Sequence, residues 1–194
     1  MLPIARRTAT LLPLALVGGL LLLLVSLSTA GPADAANACS RWGDKRPAHL
    51  STPHARAAVR CLVNRRRASH GVHTLDGDRR LTRSAQRHSG YMDRHRCFSH
   101  DCPGEPSLYT RLRKVDYLVS GLRSWAYGEN IAWGRLIHGT PERVVRAWMR
   151  SAPHRATMLD SSFRDLGVGF ARGSPYDSDD GAAIYTVDFG LRRR

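Results

Sequence analysis

Apolar residues recur at helical spacing in three long stretches of the chain and at strand spacing in two near its end. After Asp78, which suits an N-cap, Leu81, Ala85, His88 and Met92 fall at i, i+4, i+7 and i+11. That spacing predicts a helix to about Asp93 with one buried face, and it places His88 on that face as a hydrogen-bonded core histidine rather than a ligand. Thr52-Pro53 is a cap followed by a proline at the first helical position, and it predicts a helix to His70, ahead of Gly71. Ala58, Cys61, Leu62 and Val63 form its inward stripe, with Arg56, Arg60 and Arg65 to Arg67 on a solvated face. Thr140-Pro141 repeats that start, with Glu142 in the first turn, where the helix dipole favours an acid. Val144, Val145, Trp148 and Met149 point inward, and Pro153 ends that helix. Between these, Pro103-Gly104 breaks the chain, Pro106 to Lys114 predicts a short basic helix, and 115–123 is poorly patterned. Leu166 to Arg172 and Ala182 to Phe189 read as an antiparallel pair of strands. The polar loop between them carries Asp177, Asp179 and Asp180, without the spacing of a twelve-residue calcium loop.

The first 35 residues follow a different rule. Arg6 and Arg7 precede a run from Thr8 to Ala33 that has no charge, and small residues at Ala33 and Ala35 suit cleavage. This predicts a signal peptide over 1–35, an N-terminal arm over 36–52 and a single domain over 53–194. Left uncut, the apolar run is long enough to span a bilayer, so the alternative to a secreted protein is a membrane-anchored, extracytoplasmic one. Export lets thiols pair. Four cysteines allow three connectivities, of which Cys97 with Cys102 and Cys39 with Cys61 are favoured: the first brackets the loop carrying His100, and the second ties the arm to the first long helix. A metal-thiolate site is the rival, and it lacks a close CxxC pair.

Charge narrows the partners. Thirty Lys and Arg against 16 Asp and Glu give a formal net charge of +14. Such a balance favours anionic surroundings, such as envelope polymers or acidic lipid. Arg65-Arg66-Arg67 has no interleaved aromatics, so no specific nucleic-acid partner is expected.

The stretch Trp125 to Gly134, WAYGENIAWG, sets one acid, Glu129, in an apolar and small-residue run. A carboxylate taken out of water needs partners, and His100 in CFSHDC and His154 in WMRSAPHRATML are the candidates. The order CFSH, YGENIAWG, VVRAWMRSAPHRATML, FRDLGVGF, YTVDFG resembles the CAP superfamily, named for cysteine-rich secretory proteins, antigen 5 and pathogenesis-related proteins, in its bacterial form. The resemblance covers roughly Pro53 to Gly190. It implies an α+β fold, an α-β-α sandwich (the CAP/SCP fold) with a small antiparallel sheet between helical layers and an open cleft. His100, Glu129 and His154 match three members of a His/Glu set. The fourth position, often a second Glu, is Ser151.

The resemblance best supports a basic, secreted, non-enzymatic module whose cleft, formed by His100, Glu129, His154 and Ser151, takes a divalent cation, an extracellular or cell-envelope ligand, or both. His100 and His154 would ligate the metal, most simply zinc. A metal-dependent hydrolase with Glu129 as catalytic base is the alternative, although neither GxSxG nor HExxH occurs. An arginine-rich adhesion module for anionic surfaces is the third reading.

Overall fold

The computed structural model describes residues 32–177 and 181–194. The expected signal peptide falls almost wholly outside them, as do Asp179 and Asp180. Among the described residues no helix is long and apolar enough to cross a membrane.

The expected arm is structured. It holds a helix, α1 (Pro32–Trp42), and a one-turn helix, Pro47–His49. The Cys39–Cys61 disulfide joins α1 to α2 (Thr52–Ser69). Ser51, one residue ahead of the expected cap, accepts the His54 N–H and starts α2. A two-residue strand, β1 (Asp76–Gly77), leads into α3 (Arg79–His95), whose cap Asp78 accepts the N–H groups of Arg80 and Leu81. Then come α4 (Leu108–Lys114), β2 (Ser124–Arg135), α5 (Pro141–Arg150), α6 (Ala152–Leu159), β3 (Asp165–Arg172) and β4 (Ala182–Arg193). Pro153 lies in the first turn of α6, so it begins a helix as well as excluding the continuation of α5.

The four strands form one sheet in the order β1-β3-β4-β2. The expected antiparallel pair, β3 with β4, is present, β2 adds to it antiparallel, and β1 pairs parallel with β3. Helices cover both faces, which is the α+β sandwich that the resemblance implied. On one face Val168, Phe170, Tyr185, Val187 and Phe189 meet Val59 and Leu62 of α2 and Val144, Val145 and Trp148 of α5. The other face carries α3, which rests directly on glycines of β3. A Cβ on Gly167 would sit 2.0 Å from Thr82 N, and one on Gly169 would sit 2.1 Å from Ala85 O. No side chain fits there, so the helix backbone approaches the sheet at full contact.

Two readings of polarity change. Arg67 is fully buried rather than solvated: its Nε donates to His73 O, and its Nη1 donates to Met158 O and Asp160 O, closing the end of α6 onto α2. The unpatterned stretch after α4 is a second core, in which Val115, Tyr117 and Leu118 pack against Leu81 and Leu112.

Candidate functional site

Strand β2 lies at the edge of the sheet, and its three central residues GEN face three different jobs. Successive side chains point to opposite faces. Glu129 points toward the α3 side, where it meets the loop after α3. Asn130 points the other way, and its Nδ2 donates to His154 O at 3.0 Å, pinning the start of α6. A Cβ on Gly128 would lie 3.0 Å from Thr157 Cγ2 and 3.1 Å from the Phe163 ring, so the small residue lets α6 close against the strand. Trp148 of α5 adds a further tie by donating its Nε1–H to Ile131 O at 2.9 Å. The ring of His100 and the backbone carbonyl of His154 thus reach the same edge strand from opposite faces, and the two rings lie near enough across that edge for the His100 charge to act on His154.

Glu129 is 9 % exposed, and both its oxygens are engaged. Oε1 accepts from His100 Nδ1 at 2.8 Å, and Oε2 accepts from Arg111 Nη2 at 2.9 Å. The same Arg111 nitrogen reaches His100 O at 3.3 Å, so one guanidinium fixes both the carboxylate and the backbone of the histidine's loop. The Cys97–Cys102 disulfide closes that loop on its other side. With the four cysteines paired in two disulfides, no thiolate remains for a metal. Burial raises the Glu129 pKa, but the hydrogen bond from His100 and the charge of Arg111 outweigh it and hold the carboxyl at about 2. An ionised carboxylate only accepts, so His100 carries its proton on Nδ1 and leaves Nε2 open. The same hydrogen bond raises the His100 pKa.

His154 is bonded to Ser151 rather than to Glu129. Its Nδ1 lies 2.8 Å from Ser151 Oγ, which leaves its Nε2 without a hydrogen bond as well. Burial, and then the charge of His100, lower its pKa. The hollow of about 400 Å³ beside Glu129 is lined by His100, Asp101, Tyr109 and Tyr127, while Ser151 lines a separate hollow of about 590 Å³ with Trp133 and Arg150. The four residues expected in one cleft are therefore divided into two bonded pairs, His100 with Glu129 and Ser151 with His154.

A metal fits this arrangement only in a narrow form. Among the described residues no group of three or more His, Cys, Asp or Glu is disposed to hold an ion. Glu129 is committed to Arg111 and His100 and serves as a carboxylate that orients a histidine. The donors left are two imidazole Nε2 atoms.

Sequence reasoning missed the remaining partners of Glu129. Arg111, in a helix read only as basic, is 5 % exposed. Asp188, in YTVDFG, is fully buried and stands directly opposite Glu129 in the β2–β4 register. Burial and the Glu129 charge push the Asp188 pKa well up. His88 has the core position expected, with Nδ1 2.6 Å from Glu105 Oε2 and Nε2 3.7 Å from Glu129 Oε1. The signal that could have found Asp188 is the one that singled out Glu129, an acid inside an apolar strand.

Comparison with known proteins agrees with this architecture. Residues 61–189 match the model of the cysteine-rich secretory protein family, CAP. Two Bacillus subtilis proteins are similar: the uncharacterized protein YkwD, 35 % identical over 109 residues, and the uncharacterized membrane protein YlbC, 34 % identical over 113 residues. The matches cover 56 % and 57 % of this chain but only 39 % and 30 % of those relatives. Among solved structures, an extracellular protein containing an SCP domain from Bacillus anthracis superposes with a TM-score of 0.58 at 29 % identity, covering 74 % of this chain and 41 % of that one. An outer surface protein of Borrelia burgdorferi gives 0.57 at 21 % identity, covering 70 % and 90 %, a likeness of fold alone. The sandwich agrees with the match over residues 61–189, and the chain belongs to the cysteine-rich secretory protein (CAP) family.

Proposed function

We propose that the chain is an extracellular CAP module that binds a cell-envelope ligand, a divalent ion or both at the edge of β2, without catalysing a reaction there. The observation that carries this reading is the commitment of Glu129. A general base needs a free oxygen and a pKa near the working pH, whereas Glu129 is ion-paired to Arg111, bonded to His100 and held ionised to about pH 2. Such a carboxylate orients an imidazole. The hydrolase alternative loses its base, and the binding reading keeps every contact. Export is supported by two disulfides and by the extracellular description of the Bacillus anthracis relative.

A divalent ion would be held by Nε2 of His100 and Nε2 of His154, with Glu129 and Ser151 orienting the rings through Nδ1. Neutral imidazole favours zinc, and a shell of two protein nitrogens leaves positions for water or a ligand, so exchange is fast and affinity modest. Calorimetric titration of chelator-treated protein with zinc tests this. Saturable binding at about pH 7.5 that weakens at about pH 5.5, where imidazole is protonated, and that vanishes in a His100→Ala, His154→Ala double variant supports the reading. Binding unchanged in that variant, or absent at millimolar zinc, overturns the metal site.

A further inference from the structure

A third hollow lies between α3 and α4, sharing Arg111 with the His100 site. Its volume is about 300 Å³. Ser84, Arg87, Tyr91 and Arg94 line it from α3 at i, i+3, i+7 and i+10, one stripe of a helix. Arg111 and Lys114, one turn apart on α4, face them. Arg87, Arg94 and Lys114 are exposed and make none of the described ion pairs or hydrogen bonds. The single carboxylate on the lining, Glu105, already bonds His88 Nδ1 at 2.6 Å. Four cations therefore face a hollow whose one acid is turned to another partner.

The floor adds an independent observation. Ser84 and Arg111 are 1 % and 5 % exposed. Arg111 spends Nη2 on Glu129 and His100, but its Nε and Nη1 have no hydrogen-bond partner among the described residues, whereas Ser84 Oγ lies beside the buried Asp188 carboxyl. Buried donors without acceptors are costly and uncommon in folded proteins. Exposed cations around the rim and unmet donors in the floor ask for the same thing, a compact anion with several oxygens.

We propose that this hollow between α3 and α4 is a binding site for a phosphate ester, with Arg87, Arg94 and Lys114 closing on the phosphate above Arg111. A carboxylate has two oxygens and one charge, which a single arginine satisfies. A phosphate monoester offers three terminal oxygens and up to two charges, and so can employ several guanidinium forks at once. The hollow is larger than the bare ion needs, and Tyr91, Pro106 and Val115 give it an apolar side for the ester's organic part. The phosphate could belong to a small metabolite or to the end of an envelope polymer, since the recognised chemistry is the same.

The test titrates the full chain in low salt with two probes, inorganic phosphate and glycerol 3-phosphate, followed by calorimetry. An Arg87→Gln, Arg94→Gln variant removes two rim charges from exposed positions, and an Arg65→Gln, Arg66→Gln variant removes the same charge from α2. Saturable binding of both probes, tighter for the ester, is expected, with affinity falling about tenfold or more in the first variant and less than about twofold in the second. A polymer carrying terminal phosphate that competes with glycerol 3-phosphate identifies the polymer as the source, and failure to compete identifies the small ester. Absence of saturable binding, preference for the inorganic ion, or equal loss in both variants overturns the proposal. Zinc titration of the rim variant should match wild type, so failure here is separable from failure of the histidine site.

Discussion

Replacing Arg111 with methionine would leave a carboxylate buried without its cation. Arg111 and Glu129 have side chains 5 % and 2 % exposed, and their contact is 2.9 Å. Breaking a buried pair by removing one partner costs about 3–5 kcal/mol, since the remaining charge keeps its desolvation penalty. For a chain of this size each kcal/mol moves the melting temperature by about 2–4 °C, so Arg111→Met should melt about 6–20 °C below wild type. Glu129→Gln keeps volume and removes the charge. Combined with Arg111→Met it should recover part of the loss, with a coupling of about 1 kcal/mol or more in a double-mutant cycle followed by urea denaturation. The acid limb follows from the same pair. The folded pKa of Glu129 is depressed from 4.5 to about 2, so its stabilisation is present above about pH 4.5 and is lost as pH falls toward about 2. Without Arg111, burial is opposed less, so the folded pKa moves back up toward 4.5 and the stability lost between about pH 4.5 and 2 should be smaller than in wild type. An Arg111→Met variant within about 1 kcal/mol of wild type, or strictly additive singles, would refute the reasoning.

Asp188→Asn should behave in the opposite sense. The folded pKa of Asp188 is raised, so its contribution is fully present below about pH 3.8 and is lost as pH rises through the folded value. The Asn variant should therefore gain stability relative to wild type as pH rises above about 3.8; parallel curves would sink the raised pKa of Asp188. Replacing Cys97 and Cys102 with alanine removes a short loop closure worth about 2 kcal/mol in the chain-entropy model, yet it frees the segment carrying His100. Zinc affinity in calorimetry should fall by more than that stability loss alone explains, and an unchanged affinity would show that Arg111 fixes the loop unaided.

Helix α3 was legible because cap, period and core agreed: Asp78 binds two N–H groups, and Leu81, Ala85, His88 and Met92 are all fully buried. β2 was not read as a strand. Helices and loops cover parts of both its faces, so polar and apolar residues do not alternate along it, and Gly128 answers to neighbours far away in sequence: a Cβ there would meet Thr157 Cγ2 at 3.0 Å. Burial of charge was the other blind spot. Arg67 and Arg111 look like any solvated arginine until the carbonyls of α6 and the Glu129 carboxylate are brought to them by chain segments up to 93 residues away. The pairing of His100 with Glu129 was legible through family resemblance and the rule that a buried acid needs a partner. The pairing of His154 with Ser151 is a three-residue local contact at a helix start, visible only once α6 is known to begin there.

The central claim is that Glu129 and Ser151 hold the two rings by Nδ1, leaving both Nε2 atoms open to one ion. Long-range 15N–1H spectra of the imidazoles, recorded across pH and then with zinc added, test it directly. The account predicts Nδ1-protonated neutral His100, protonation at Nε2 with a pKa above the usual 6.5 for His100 and below it for His154, and zinc-induced shifts at Nε2 of both residues with one shared affinity. A neutral His100 protonated on Nε2, or zinc shifts confined to one ring or to Nδ1, would contradict it.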